Sequence, residues 1–145
     1  MATTTGTTNI YDSWKETMVE GANLGTDVFK MLLTTSSYTP SATHTTISNI
    51  TNELDGSGYA RHEHTIVTSA QTSGTYTFKL DDAEFTATGG DLTARYWVIF
   101  DDTIAGDPLV AWGLLDNTPA DVVMTDGNKL TVKINASGLF TIANT

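Results

Sequence analysis

The sequence predicts a mainly β fold, a β-sandwich-like arrangement of antiparallel sheets with one N-terminal α-helix and an extended N-terminal arm. Residues 92–100 and 109–115 are two short runs rich in aromatic and β-branched residues, and turn-forming residues between them return the chain antiparallel. Short segments with apolar alternation, at least six in all, recur along the chain. A single stripe of apolar residues at helical spacing lies near the N-terminus.

Residues 1–8 are predicted to form the arm, and residues 9–145 a single β-rich domain. The arm carries five of the 28 threonines of the chain and offers no apolar side chain to anchor it to the body. Terminal segments of this kind are normally disordered. We therefore expect a neighbouring subunit to hold it.

The helix is predicted over residues 10–20. Its buried stripe consists of Ile10, Trp14 and Met18, and Tyr11 joins it. Asn9 is a suitable N-cap and Gly21 a suitable stop, because each favours the backbone conformation found at that end of a helix.

A strand over residues 27–34 follows, and it is predicted to be internal because it is apolar on both faces. Residues 41–60 are predicted to be a long irregular excursion anchored by Ile47, Ile50 and Leu54, with one helical turn within 46–53. Loops of this length within a compact domain are uncommon and often functional.

The remaining strands are predicted over residues 61–67, 75–80, 84–88, 92–100, 109–115, 122–124 and 130–142. Asp126-Gly127 is a strong hairpin signal between the segments that flank it. Residues 135–138 are predicted to continue the last strand, because their small inward side chains allow a neighbouring strand to approach closely.

Composition excludes several classes of partner. The chain has 145 residues, a net charge of −10 and no cysteine, and its seven basic residues are scattered. Nucleic-acid binding needs clustered cations, so we expect no nucleic-acid partner. No apolar run is long enough to span a membrane, and the N-terminus does not resemble a signal peptide. The sequence thus predicts a soluble protein with no membrane partner, made in the cytoplasm.

His62 and His64 are the strongest metal-ligand candidates, because alternate residues of a strand share a face. A third ligand would have to come from His44 or a distant carboxylate. The alternative is a pair of solvated histidines on an exposed edge, and we expect no metal or other cofactor.

Catalytic signatures are missing from the sequence. It contains neither a Gly-x-Ser-x-Gly motif nor a cysteine nucleophile. The acidic groups at residues 81–84 and 101–107 do not match the calcium-loop spacing. The sequence therefore predicts a protein that is not an enzyme.

Three tryptophans, Trp14, Trp97 and Trp112, could line a carbohydrate groove. Tryptophans on strands that are apolar on both faces more often belong to a core or an interface. We expect Trp97 to be buried.

Several blocks resemble, in order, a family of small structural proteins of tailed bacteriophages. These blocks are residues 10–16 (IYDSWKE), 27–40 (DVFKMLLTTSSYTP), 51–59 (TNELDGSGY), 93–100 (TARYWVIF) and 135–141 (NASGLFT). Together they extend over nearly the whole chain, and residues 61–80 resemble the family least.

The resemblance implies a capsid decoration (cement) protein that binds the outer surface of the head and stabilises it. Its expected partners are the major capsid protein and other copies of itself, as a homotrimer. The expected contact residues are Thr3, Thr4, Thr5, Thr7, Thr8, Ile47, Ile50 and Trp97. Three alternatives remain open: a tail or head-fibre component, a carbohydrate-binding module, and a metal-dependent enzyme built on His62 and His64.

Overall fold

The computed structural model describes residues 2–4, as backbone only, and residues 7–144. The chain is 41% strand and 9% helical, which confirms the predicted mainly β class with antiparallel sheets. Helix α1 spans Asp12–Glu20, and a 3-10 turn spans Ile47–Asn49. The strands are β1 (Ala2–Thr4), β2 (Asn9–Ile10), β3 (Phe29–Thr34), β4 (His62–Glu63), β5 (Ile66–Thr72), β6 (Thr75–Leu80), β7 (Ala83–Thr86), β8 (Leu92–Ala94), β9 (Tyr96–Asp101), β10 (Leu109–Leu114), β11 (Val122–Met124), β12 (Lys129–Val132) and β13 (Phe140–Ala143).

The largest sheet has the strand order β2-β10-β9-β3-β4, and every pair of neighbours in it is antiparallel. Three smaller sheets have the orders β1-β12-β7, β11-β8 and β13-β6-β5. The β1–β12 pair is parallel, whereas the other pairs of described strands are antiparallel.

The core forms on both faces of the large sheet. Strand β3 lies between β4 and β9, which agrees with its prediction as an internal strand. On one face, Phe29 contacts Trp14 of α1 and Phe78 of β6 edge-on, with ring centroids 6.1 and 5.1 Å away. On the other face, Tyr38 meets Tyr96 edge-on at 6.0 Å. Aromatic residues therefore join the sheet to the layers that cover it.

Polar contacts fasten the excursion at residues 41–60 to the body. The Glu53 carboxylate accepts a hydrogen bond from the Tyr59 hydroxyl at 2.9 Å and two from the Arg61 guanidinium at 2.8 Å each. The same Tyr59 hydroxyl accepts the backbone N–H of Leu33 at 3.0 Å. Arg61 also lies over the Phe100 ring, 5.1 Å from its centroid. The predicted helical turn within 46–53 is present as the 3-10 turn.

The helix begins two residues later than predicted, and Asn9 does not cap it. Residues 9 and 10 form β2 instead, opposite Trp112 and Ala111 of β10. The Asn9 side-chain amide donates to the carbonyl of Trp112 at 3.3 Å. The backbone of residues 9 and 10 therefore pairs with the edge of the large sheet, so these residues do not join the helix.

Two predicted strands are divided where the chain moves between sheets. Residues 61–67 separate into β4 and β5, and residues 92–100 separate at Arg95 into β8 and β9. The N–H of Arg95 bonds to the carbonyl of Thr34, so the break occurs as the chain enters the large sheet. Apolar alternation continues across the break at Arg95, which is why the sequence pattern does not reveal it.

The hairpin predicted at Asp126-Gly127 is wrong, although the turn exists. Gly127 has a φ of +82°, but β11 pairs with β8 and β12 pairs with β7. The predicted continuous last strand is also wrong, because residues 135–138 turn and separate β12 from β13. Gly138 has a φ of +98°, and a Cβ there would lie 2.7 Å from the Phe78 carbonyl oxygen. The expected close approach is therefore real, but it occurs at a turn.

Candidate functional site

The arm is held by the chain's own sheet where its backbone is described. Residues 2–4 form β1, in parallel register with Leu130–Val132. This pairing differs from the expectation that a neighbouring subunit holds the arm. Of the predicted contact residues, Thr3 and Thr4 lie on β1, and Thr5 lies outside the described residues. Thr7 is exposed and Thr8 is half-buried.

The other predicted contact residues pack largely against this chain. Ile47 and Ile50 are half-buried at the edge of the core, so each presents only part of its side chain to a partner. Trp97 is 3% exposed, which confirms its predicted burial and corrects its expected role as a surface contact. Its ring lies against Gly113, where a Cβ would be 2.6 Å from two ring carbons.

An open apolar groove runs between α1 and the β13-β6-β5 sheet, and we call it the helix groove. Met18, Val19 and Leu24 line one side, with Tyr76 and Ile142 opposite, around a volume of about 590 Å³. A smaller depression shares Met18 and Ile142 with it and extends towards Trp14. The two together form a largely apolar strip along the helix, with Lys15, Asn23, Ser69 and Thr141 as its polar lining residues.

Two side chains in the helix groove are strongly exposed for their type. Val19 is 79% exposed and Ile142 is 50% exposed. Lys15 on the same helix lines the smaller depression and is exposed, so a charged residue borders the apolar strip. An apolar centre with a charged border is typical of protein-binding surfaces. The helix groove can therefore receive an apolar side chain from another protein.

Sequence reasoning identified the helix but not the groove beside it. The stripe that includes Trp14 faces the core as predicted, and Trp14 is 1% exposed. Val19 lies outside that stripe. The sequence signal for the groove was a single apolar residue on the solvent-exposed face of the helix. The opposite wall depends on β13, which the sequence pattern merged with β12.

A second cluster brings His62, His64 and Asp81 together near the junction of β4, β6 and β7. One potential ligand atom from each of the three lies within 4.8 Å of the others. Asp81 Oδ1 is 3.0 Å from His64 Nδ1 and 3.7 Å from His62 Nε2. The two imidazole rings meet edge-on with centroids 4.9 Å apart. We call this group the histidine cluster.

Backbone hydrogen bonds hold the residues of the cluster in position. The backbone N–H of His64 bonds to the Phe29 carbonyl at 2.8 Å, and the N–H of Thr65 bonds to Asp81 Oδ1 at 2.9 Å. Burial lowers the pKa of His64 to about 4, against the opposing effect of the Asp81 carboxylate. The ring is therefore neutral at pH 7, and Nδ1 carries its proton, because the two Asp81 oxygens that face Nδ1 are both hydrogen-bond acceptors.

The third ligand candidate named from the sequence, His44, lies elsewhere. Its Nδ1 is 3.0 Å from the Tyr38 hydroxyl, which is in turn 3.2 Å from the Tyr11 hydroxyl. The third potential ligand is Asp81, a carboxylate distant from both histidines in the sequence. The β5–β6 register pairs Ile66 with Leu80, and this register carries Asp81 beside Thr65.

Among the acidic residues at 101–107, Asp101 has a buried carboxyl with a raised pKa. Asp101 is fully buried, and its Oδ1 accepts the backbone N–H groups of Thr103 at 2.9 Å and Ile104 at 3.3 Å. Burial raises its pKa to about 6 despite those N–H groups, and the Asp27 carboxylate adds to the rise. Asp102 instead pairs with Lys30 at 2.7 Å.

The tryptophans do not provide a carbohydrate platform. Trp14 and Trp97 are buried, and Trp112 is half-buried against Tyr96, with ring centroids 6.4 Å apart. Stacking on a sugar needs an exposed aromatic face, so this alternative loses the residues on which it depended.

No helix among the described residues is long and apolar enough to cross a membrane. Comparisons of the chain with protein-family models, with curated proteins and with solved structures return no match.

Proposed function

We propose that this protein is a capsid decoration (cement) protein of a tailed bacteriophage, which binds the outer surface of the head and stabilises it without catalysis. The ordered sequence blocks described above support the phage family. The structural observation that carries the proposal is the helix groove, because a cement protein needs an exposed apolar surface that a capsid subunit can cover.

The charge and the fold support the same function. A net charge of −10 keeps many copies from associating at random. The clamp of Glu53, Tyr59 and Arg61 makes the excursion at residues 41–60 a fixed part of the body. A rigid body binds with little loss of conformational entropy, which favours tight attachment to a repeating surface.

Binding stabilises the shell by mass action, because the protein has affinity for assembled capsomers and little for separated ones. Particles that lack the protein should therefore release DNA at a lower temperature or after milder osmotic shock. Adding the purified protein back should restore the resistance. Thermal-release curves with and without the protein measure this effect.

Imaging of intact particles tests the location. Density on the head surface is the expected result. Density on the tail alone, with unchanged head stability, would assign the chain to the tail or head-fibre alternative.

The helix groove is tested by removing its exposed apolar groups. The double variant V19Q/I142Q should bind particles roughly 30–150-fold more weakly, because covering these groups contributes about 2–3 kcal/mol. The control V67Q/V123Q removes two valines that are 55% and 51% exposed and do not line the groove. Equal binding by the two variants would exclude the groove as the capsid contact.

The proposal includes a homotrimer on the particle. Analytical ultracentrifugation of the free protein, combined with symmetry in the particle density, measures the copy number. A single copy at each site, without a three-fold arrangement, would contradict this part of the proposal.

A further inference from the structure

Two buried nitrogen atoms in the histidine cluster have no hydrogen-bond partner among the described residues. They are Nε2 of His62, which faces Asp81 Oδ1, and Nε2 of His64, whose other ring nitrogen, Nδ1, faces Asp81. A buried polar atom without a partner is unfavourable, and native proteins contain few of them. The side chains of Asp81 and His62 are 34% and 19% exposed, so a small ion can reach the cluster from solvent.

The two distances from Asp81 Oδ1 are compatible with ligands of one ion, although His64 Nδ1 also bonds to the Asp81 carbonyl oxygen at 3.1 Å. The 3.7 Å between His62 Nε2 and Asp81 Oδ1 is too long for a hydrogen bond. Ligand atoms that share one metal at bonds of about 2.0–2.1 Å lie roughly 3–4 Å apart. The 3.0 Å between His64 Nδ1 and Asp81 Oδ1 falls at the short end of that range, and a metal bound there would replace the Nδ1 proton that now forms the hydrogen bond.

From this geometry we propose that His62, His64 and Asp81 bind one divalent transition-metal ion, with Zn²⁺ as the ion that the donors suit. Two imidazole nitrogens and one carboxylate oxygen are a ligand set typical of Zn²⁺, whereas Ca²⁺ and Mg²⁺ take oxygen ligands. The partial exposure of Asp81 leaves room for water as the fourth ligand.

The position of the site indicates a structural role. His62 lies on β4 at the edge of the large sheet, opposite Met31. Asp81 follows the last residue of β6 and precedes β7. An ion bound to both would tie the large sheet to the corner between two smaller sheets. It would stabilise the folded state in proportion to its occupancy, independently of capsid binding.

Metal binding to the full-length protein tests the proposal directly. Protein treated with EDTA and then freed of chelator is titrated with ZnCl₂ by calorimetry, and its thermal unfolding is followed in parallel. We expect saturable binding with 1:1 stoichiometry. The unfolding temperature should rise by roughly 5–10 °C at a hundredfold excess over Kd. CaCl₂ and MgCl₂ should give no comparable rise.

Three variants assign the binding to the cluster. His62→Ala should abolish the Zn²⁺-dependent shift, and Asp81→Asn should weaken binding at least tenfold while keeping an acceptor for the Thr65 N–H. The matched control is His44→Ala, which removes the remaining histidine of the chain and should bind Zn²⁺ as the unchanged protein does.

Cobalt gives a second readout that does not depend on stability. Co²⁺ in a four-coordinate nitrogen and oxygen site acquires a visible absorption band, which should appear with the unchanged protein and His44→Ala but not with His62→Ala. Circular dichroism confirms that each variant is folded. Absence of 1:1 binding, or Zn²⁺ binding that neither His62→Ala nor Asp81→Asn reduces, would overturn the proposal.

Discussion

Asp101 makes a pH-dependent contribution to stability that one substitution should remove. Its carboxyl is fully buried, and its pKa is raised from 3.8 to about 6, chiefly by that burial. Between pH 4 and pH 6 the folded state therefore binds more protons at this site than the unfolded state does. The free energy of unfolding must fall as pH rises through this window, and the loss is nearly complete by about pH 7.

Asp101→Asn removes the ionisable group and keeps the turn. An amide oxygen can accept the N–H groups of Thr103 and Ile104 as Oδ1 does now. The full pKa shift corresponds to roughly 3 kcal/mol, at 1.36 kcal/mol for each unit. Relaxation and water penetration reduce that figure, so the stability of the variant relative to the unchanged protein should increase by about 1–3 kcal/mol between pH 4 and pH 7.

Urea unfolding at each pH, extrapolated linearly to water, measures the difference. Asp116→Asn is the matched control, because Asp116 accepts the N–H of Thr118 in a similar turn at 2.9 Å. Hydrogen bonds from Thr118 lower the pKa of Asp116, so this variant should lose relative stability as pH rises through about 4, the opposite sign. If the free energy of unfolding of Asp101→Asn differs from that of the unchanged protein by the same amount from pH 4 to pH 7, the reasoning is refuted.

Two further predictions concern the core and the arm. Trp97→Ala should lower the free energy of unfolding by about 3–5 kcal/mol, because the side chain is buried against Gly113. Trp112 is half-buried, so Trp112→Ala should lower it less. Equal losses of unfolding free energy in urea would contradict the assignment of Trp97 to the core. Deleting residues 1–8 removes β1 but no described residue of the buried core, so circular dichroism should still show a folded body, while the loss of the expected threonine contacts should lower occupancy on phage particles. Undiminished occupancy would contradict the expectation that the threonines of the arm contact the capsid.

The sequence alone determined the fold class, because local patterns report local burial. The apolar faces of residues 27–34 predicted an internal strand, and the aromatic runs at 92–100 and 109–115 predicted an antiparallel pair. Both agree with β3, β9 and β10 as they stand in the large sheet. The stripe containing Trp14 likewise identified the buried side of the helix.

Strand partners were decided only by the tertiary structure. Asp126-Gly127 specifies a turn but not which strands flank it, and β11 and β12 pair with β8 and β7 instead of with each other. Arg95 interrupts an alternating run because its backbone N–H is used by the carbonyl of Thr34, a residue 61 positions away in the chain. Such pairing depends on which backbone N–H and carbonyl groups still lack a hydrogen-bond partner once the sheets have assembled.

The candidate sites divide in the same way. Alternation placed His62 and His64 on one face, but Asp81 joined them because the β5–β6 hairpin carries it beside Thr65. The helix groove needs β13 to lie along α1, which no residue of either segment specifies by itself. A side chain's type is local, whereas its neighbours, its burial and hence its pKa depend on the packing of distant segments.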